Sequence, residues 1–292
     1  MKCSVIIPCY NASGTMSGLL RSLAEQSWPM PWEVIISDNG STDDFKSVVQ
    51  QYEHRIPELR IVDASSRRGA SHARNVGADA AMGDTLLFCD ADDEPAAGWS
   101  RAMARALKNH GLVAARMSFD KLNPPALRKV RGTTQVDGLQ RFSFLPYPHA
   151  AGGTLGIKRA LHEAVGGFDE DILICEDVDY CMRVQQMGIP LRFVPDAEVH
   201  YRLPRTLAEI YHQAARYAEH EVYLFEKYAE RRQAGELWRW RKYMEVWYCV
   251  LRRAPKLIRA PEDRSLLLWR LGRQIGLMKE SIRFHGPPII TD

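Results

Sequence analysis

The feature that most constrains this chain is a regular alternation, over about its first 115 residues, of short apolar runs and helix-period segments. Residues 4–8 form an unbroken apolar run stopped by Pro8, the pattern of a buried strand. Met16, Leu19, Leu20 and Leu23 then recur at i, i+3, i+4 and i+7, which is one face of a helix. In the same way residues 32–37, 59–62 and 85–89 predict strands, 112–119 a strand or strand pair, and 43–52 and 96–109 helices. Residues 69–81 predict an Ala-rich helix, with Gly83 closing it as a C′ glycine. Strands without polar alternation, separated by helices, imply βαβ units and a parallel sheet covered on both faces. The expected class is α/β, with a Rossmann-like, mostly parallel sheet flanked by helices.

Ligands of such sheets sit beyond the carboxyl ends of the strands. Strand one ends at Tyr10-Asn11, strand two at Asp38-Asn39 and strand four at Asp90-Ala91-Asp92-Asp93. Turn and capping preferences account for Asp43 and Asp44, but not readily for three carboxylates within the four residues 90–93. Such carboxylates repel one another unless a cation sits among them, which points to a hard divalent metal, Mg2+ or Mn2+. A cation there, beside a helix carrying Arg74, suits a diphosphate whose charge metal and guanidinium share.

Two other nucleotide sites are disfavoured. No G-x-G-x-x-G follows strand one, and no G-x-x-x-x-G-K-[ST] occurs anywhere, which argues against a nicotinamide Rossmann site and a P-loop. The net charge of +3, from 39 basic and 36 acidic residues, gives no reason to expect nucleic acid as a partner.

At this point the residues carry a family resemblance. Pro8-Cys9-Tyr10-Asn11, residues 37–43, residues 73–77, residues 88–93 and residues 175–180 together resemble the family 2 glycosyltransferases of GT-A fold, over about residues 3–204. The resemblance implies a GT-A domain over residues 1–204, with a nucleotide-binding half over about 1–119 and an acceptor half over about 120–204. It implies an inverting, metal-dependent transfer of a sugar from a nucleotide-sugar, UDP-linked by the family pattern, to an unidentified acceptor. Asp38 would read the base, with Pro8 and Tyr10 lining that pocket and Asn11 beside them. Arg74 would lie over the nucleotide or diphosphate. In the D-x-D motif Asp90-Ala91-Asp92, Asp90 would hold the ribose and Asp92 the metal. Gly153, in the Gly-containing stretch 150–154, would bring backbone close to the donor sugar; a close-packed strand start is the other reading. Glu176 and Asp177 resemble the general-base motif, with Asp177 as base and Glu176 supporting it or contacting the acceptor.

Physical chemistry asks for the same two parts. In-line displacement at an anomeric carbon needs a carboxylate to take the acceptor proton and a cation near the leaving diphosphate. Acid clusters about 85 residues apart supply both. First-turn acids stabilised by a helix dipole would also explain Glu176 and Asp177, since residues 178–187 read as helix. His200 matches a position where many family members place a metal ligand, although a lone His after a strand is also commonly a hydrogen-bonded surface residue. As a ligand it would favour Mn2+. Residues 123–138 read as a surface hairpin or mobile loop, and residues 169–171 as a capped, solvated loop. Two rival functions share these residues. One is a nucleotide-sugar-binding protein without catalysis. The other is a sugar-1-phosphate nucleotidyltransferase, which would want a basic, Gly-rich loop after strand one where this chain has residues 11–15 and no base before Arg21.

From residue 205 the character changes. Residues 205–292 hold 17 Lys or Arg against 11 Asp or Glu, whereas the preceding part is mildly acidic. Helices are expected over 206–230, 236–253 and 261–284, with Trp238, Trp240, Tyr243, Trp247 and Tyr248 crowded among Arg239, Arg241, Lys242, Arg252 and Arg253. Such a helical extension fits packing on the catalytic domain or on a second subunit, peripheral contact with an anionic membrane, or acceptor binding. No run approaches the length of a membrane span, and the first apolar stretch is too short for a signal-peptide core. The six cysteines include no C-x-x-C pair and read as reduced thiols, so the expected setting is cytoplasmic.

Overall fold

A computed structural model describes residues 2–125, 127–128, 134–228, 236–259 and 263–284. The chain divides into two compact units. The first comprises residues 1–121, 133–140 and 147–202; the second comprises residues 122–132, 141–146 and 203–292.

The first unit is built on an eight-stranded sheet of order β3-β2-β1-β4-β7-β6-β8-β5. Its strands are β1 Cys3–Cys9, β2 Trp32–Asp38, β3 Leu59–Asp63, β4 Thr85–Phe88, β5 Glu94–Pro95, β6 Leu112–Ser118, β7 Leu155–Lys158 and β8 Leu191–His200. β1, β2, β3 and β4 run parallel, as the unbroken apolar runs predicted. On one face α1 (Ser13–Ala24), α2 (Phe45–Gln50) and α4 (Trp99–Asn109) bury Met16, Leu19, Leu20, Leu23, Phe45, Val49, Trp99 and Met103 against Val5, Ile7, Val34, Ile36 and Leu87. On the other, α3 (Ala70–Asp79) lies so close to β1 that a methyl group on Gly77 would strike Ile6. Each β1 residue from Val5 to Ile7 is fully buried because helices cover both sides.

The remainder is less parallel than expected. β7 is antiparallel to both β4 and β6, and β5 is antiparallel to β8, while β8 is parallel to β6. Because β7 is reversed, its amino end, not its carboxyl end, lies at the rim where β4 finishes. The 3-10 turn Gly152–Thr154 just before it is thereby delivered to the ligand rim. After β7 come α5 (Arg159–Val165) and α6 (Glu176–Gln186), the latter with Glu176, Asp177 and Asp179 in its first turn, where the helix dipole favours negative charge. Gly83 has a different job from the one expected. α3 ends with Ala80 as C-cap, and Gly83 is glycine because a Cβ there would meet the Cys3–Ser4 backbone.

The second unit contains α7 (Leu207–Tyr228), α8 (Glu236–Arg259) and α9 (Arg264–Arg283). α7 and α9 approach at backbone distance. A Cβ on Gly272 would touch the Tyr211 carbonyl and one on Gly276 the Ala215 carbonyl. Glu221, 2% exposed, accepts two hydrogen bonds from Arg273, both 2.7 Å, so its buried charge is compensated by a fork-to-fork pair. α8 buries Tyr243, whose hydroxyl donates to the Gln274 carbonyl, and Val250. The side chains of Trp238, Arg239, Lys242 and Arg253 lie outside the described residues, as do the ends of the expected helices at 229–230 and 261–262. Among the described residues no helix is long and apolar enough to cross a membrane, and the cysteines form no disulfide.

Candidate active site

The parallel register sets the rim. Cys9 pairs with Asp38 and Asp38 with Asp63, so β1, β2 and β3 end level, and Asp90 lies two residues past the last pair of β1 with β4. Here Asp38 is 7% exposed. Burial opposes its charge, but the Ser41 hydrogen bonds and the Lys46 ammonium outweigh burial and hold it below the usual carboxylate range. Asn11 adopts left-handed backbone and accepts from the Thr42 N–H at 2.8 Å, stitching the ends of β1 and β2 together. Pro8 is half-buried behind it, while Tyr10 is 52% exposed with the Arg68 guanidinium 4.5 Å over its ring. Asn39, which the sequence places at the end of strand two, braces the next loop. Its Nδ2 donates to the carbonyls of Ala64 and Arg67, and its Oδ1 accepts from Gly69 N–H.

The centre of the site is Arg74, 3% exposed on α3. Its Nη1 donates to Glu176 Oε1 at 2.6 Å and its Nη2 to Asp90 Oδ1 at 2.8 Å. Acid groups from distant parts of the sequence thus share one guanidinium. Burial opposes the charge on Arg74, but these two carboxylates more than offset it and keep it protonated. The bridge rests on Phe168, whose ring lies 5.3 Å below the guanidinium and stacks on Tyr180 at 4.1 Å. Asn75, one residue on, exchanges hydrogen bonds with the Phe168 N–H and carbonyl. Within the 169–171 segment, expected to be solvated, Asp171 is indeed exposed beside Arg67, whereas Glu170 is tied to Asn75 and His72.

Asp177 is held differently from Glu176. Its Oδ2 accepts from Gly152 N–H and its Oδ1 from Val178 N–H, each at 2.8 Å. Desolvation, then the Glu176 charge, raise its carboxyl to about 7, with Arg74 acting in the opposite direction. Gly152 and Gly153 are glycine for want of room: a Cβ on Gly152 would lie 2.8 Å from Arg74 Nη2, and one on Gly153 2.7 Å from the Asp90 carboxyl carbon.

Asp92 is exposed at the mouth, yet flanked by enough protein that desolvation, then the Asp90 charge, raise its carboxyl to about 6. Asp93 is buried. Its Oδ1 accepts from Arg202 N–H at 2.9 Å and its Oδ2 has no hydrogen-bond partner. Arg202, absent from the sequence reading, also donates from Nε to the Asp92 carbonyl, and Thr15 donates to the Ala91 carbonyl, so both flanks of the acidic loop are pinned. His200 pairs in register with Glu94, and its Nδ1 lies 3.4 Å from Glu198 Oε1. No hydrogen bond or ion pair joins it to Asp92. Among the described residues no three His, Cys, Asp or Glu side chains converge as a metal cage. The oxygen donors that are present, with an orphaned carboxylate oxygen on Asp93, are of the kind a hard cation takes.

Gln135 was also missed. Expected in a surface loop, it is 3% exposed and holds the turn Gly152–Thr154. In the same stretch Asn123 and Leu127 are buried while Pro124, Pro125 and Asp137 are exposed, so the described part of 123–138 is a surface segment anchored at a few buried positions. Residues 126 and 129–133 lie outside the described residues.

With this geometry in hand, comparisons with known proteins are specific. Residues 4–174 match the model of glycosyl transferase family 2, and residues 101–258 that of glycosyl transferase family group 2. The glycosyltransferase AglE of Haloferax volcanii is 26% identical over 203 residues, 66% of this chain and 64% of that protein. The uncharacterized glycosyltransferase YwdF of Bacillus subtilis is 30% identical over 210 residues, 69% of this chain and 74% of that protein. This chain therefore spans under two thirds of the first relative and about three quarters of the second. The structure of the mannosyltransferase PcManGT from Pyrobaculum calidifontis with GDP-Man and Mn2+ aligns over 95% of this chain and 86% of its own, with a TM-score of 0.66 and 20% identity. S. aureus TarS (residues 1–349) in complex with UDP aligns over 98% and 92%, with a TM-score of 0.53 and 20% identity. These likenesses show a GT-A fold.

Proposed function

Since the chain belongs to glycosyl transferase family 2, we propose that it transfers a sugar from a nucleotide-sugar to an acceptor hydroxyl with inversion at the anomeric carbon, using Asp177 as general base. The observation that carries this reading is the buried Arg74 bridge, which sets an acid of the β4 rim beside the acid pair of α6. Of that pair, Glu176 is committed to the guanidinium. Asp177 faces two N–H groups and is raised to about 7, which suits a group that must accept a proton near neutral pH. As the acceptor oxygen closes on the anomeric carbon, its proton passes to Asp177 and the nucleoside diphosphate leaves from the opposite face. Asp38, Tyr10, Pro8 and Asn11 would hold the base at the β1–β2 rim. Asp90 and the Gly153 backbone would face the ribose and the donor sugar. A divalent cation, Mn2+ or Mg2+, held at Asp92 with His200 as a further ligand, would supply charge neutralisation for the leaving diphosphate. The donor in this reading is UDP-linked.

The test is a melting panel with UDP, GDP and dTDP, each with and without Mn2+, on wild type, Asp92→Asn and Asp177→Asn. Donor hydrolysis, read as released nucleotide, follows on the same proteins. The expected result is a Mn2+-dependent rise with UDP, since a ligand of the folded state stabilises by mass action. Asp92→Asn should lose that rise; Asp177→Asn should keep it but turn over at least 100-fold more slowly. Full turnover by Asp177→Asn would remove the base assignment.

The second unit, in this reading, meets an anionic membrane surface. Support comes from α8, where Trp240, Met244, Tyr248 and Leu251 are exposed at intervals of three and four residues, with exposed Arg241 and Arg252 beside them. Cosedimentation with phosphatidylglycerol but not phosphatidylcholine vesicles, lost in Met244→Glu/Leu251→Glu, is expected. Concentration-dependent dimerisation without vesicle binding would assign the stripe to a second copy instead.

A further inference from the structure

Resting on the reading of Asp177 as base, we propose that Gln135 is a positioning residue for that base, acting through the turn Gly152–Thr154. Gln135 stands in left-handed backbone, φ 54°, which costs a non-glycine residue about 1 kcal/mol and persists only where its surroundings fix it. The surroundings do fix it. Nε2 donates to the Ala115 carbonyl at 2.8 Å and to Thr154 Oγ1 at 2.7 Å. Oε1 accepts from Gln140 Nε2 at 2.8 Å and from Ala151 N–H at 2.9 Å. A glutamine amide has two donors and two strong acceptor sites, so its capacity is full. Its own carbonyl accepts from Met117 N–H at 2.9 Å, which bolts the residue to β6.

The partners explain what the amide is for. Ala115 and Met117 belong to the rigid sheet, whereas Ala151 and Thr154 bracket the turn. Ala151 N–H goes to Gln135, and the next N–H along the chain, that of Gly152, goes to Asp177 Oδ2. Arg74 lies where a Gly152 side chain would be and so blocks movement of the turn toward it. Gln135 supplies the opposing restraint, tying the turn to the sheet. Without it the turn can drift away from Asp177, leaving the carboxylate with the Val178 N–H alone and free to rotate off the acceptor line.

Two variants test this. Gln135→Asn tolerates the left-handed backbone and keeps an amide, but is one methylene too short to span sheet and turn. Gln135→Met keeps the length and loses every side-chain hydrogen bond. If Met does not fold, Asn carries the test. In both we expect kcat for donor hydrolysis to fall at least tenfold with donor KM within twofold of wild type. The acid-side midpoint of the kcat–pH profile should rise, because Asp177 loses an N–H that favours its anion. Hydrogen exchange across residues 150–155 should quicken at least tenfold. Wild-type kcat and midpoint, or a rise in KM at constant kcat, would overturn the proposal, as would unchanged exchange. Asp177→Asn is run alongside. If it is inactive while the Gln135 variants are normal, this inference alone falls. If it turns over normally, the base reading falls, and exchange still decides whether Gln135 holds the turn.

Discussion

Replacing Arg74 by methionine gives the sharpest test of how the site is held together. Methionine approximates the buried length of the side chain and keeps contact with Phe168, but removes both charge-assisted hydrogen bonds. Glu176, with its side chain 11% exposed, is then a buried carboxylate with no cation beside it. Removing one partner of a buried ion pair costs about 3–5 kcal/mol. Asp90, 29% exposed, can turn to water, so its share is under about 1 kcal/mol. At about 2–4 °C per kcal/mol for a unit of this size, the melting point should fall by roughly 10 °C. Arg74→Lys should lose part of this, because an ammonium cannot fork between two carboxylates. Arg74→Met/Glu176→Gln should recover most of it, since the stranded charge is gone. Circular dichroism melts of the four proteins decide the matter. A single variant melting within about 2 °C of wild type, or a double variant no better than the single, would show that the bridge does not hold these elements together.

Asp177 carries a stability signature of opposite sign. Its folded-state value of about 7 lies above the ordinary 3.8, so the folded state binds its proton more tightly and stability falls as pH rises between those values. Asp177→Asn should therefore melt a few °C above wild type at pH 8, with the gain vanishing near pH 4; a pH-independent difference would contradict this. Gly152→Ala places a Cβ 2.8 Å from a guanidinium that two carboxylates hold still, so nucleotide affinity by calorimetry should drop at least tenfold. Gly276→Leu should spring α7 from α9, seen as faster proteolysis within residues 203–284, while the nucleotide-dependent melting shift persists.

What the sequence disclosed follows from how local the signals are. β1, β2 and β4 were legible because both faces are buried and the apolar runs 5–7, 34–36 and 86–88 are uninterrupted, and the Asp90 cluster because mutual repulsion needs a reason. β5, two residues long, and β7, four residues with a glycine, carry too little pattern to read; their neighbours make them strands. Arg74 was read as reaching for a diphosphate, and a periodicity argument could not foresee that Asp90 and Glu176 occupy its fork. Gln135 left no trace at all. It is a lone glutamine in an aperiodic stretch, and its partners at 115, 140, 151 and 154 reveal nothing until the chain has folded. Arg202 was hidden for the same reason, and Asn39, legible as a rim residue, gave no sign of its bracing role, since its partners are backbone groups that any sequence would offer.

The place of β7 in the sheet has a consequence for biosynthesis. A ribosome releases β4 and β6 within about thirty residues of each other, yet they never pair; the strand that separates them arrives some forty residues later. β6 has β7 and β8 as its neighbours, both still unmade when it emerges, so a nascent chain of about 120 residues shows raw strand edges on β4 and β6. Such edges recruit other chains, and truncated products ending before about residue 200 should aggregate rather than persist as half-enzymes. The acids of α6 are translated between β7 and β8. The Arg74 bridge therefore closes only as the sheet itself is completed, and a nascent chain shows adhesive edges before it has a site to offer a nucleotide.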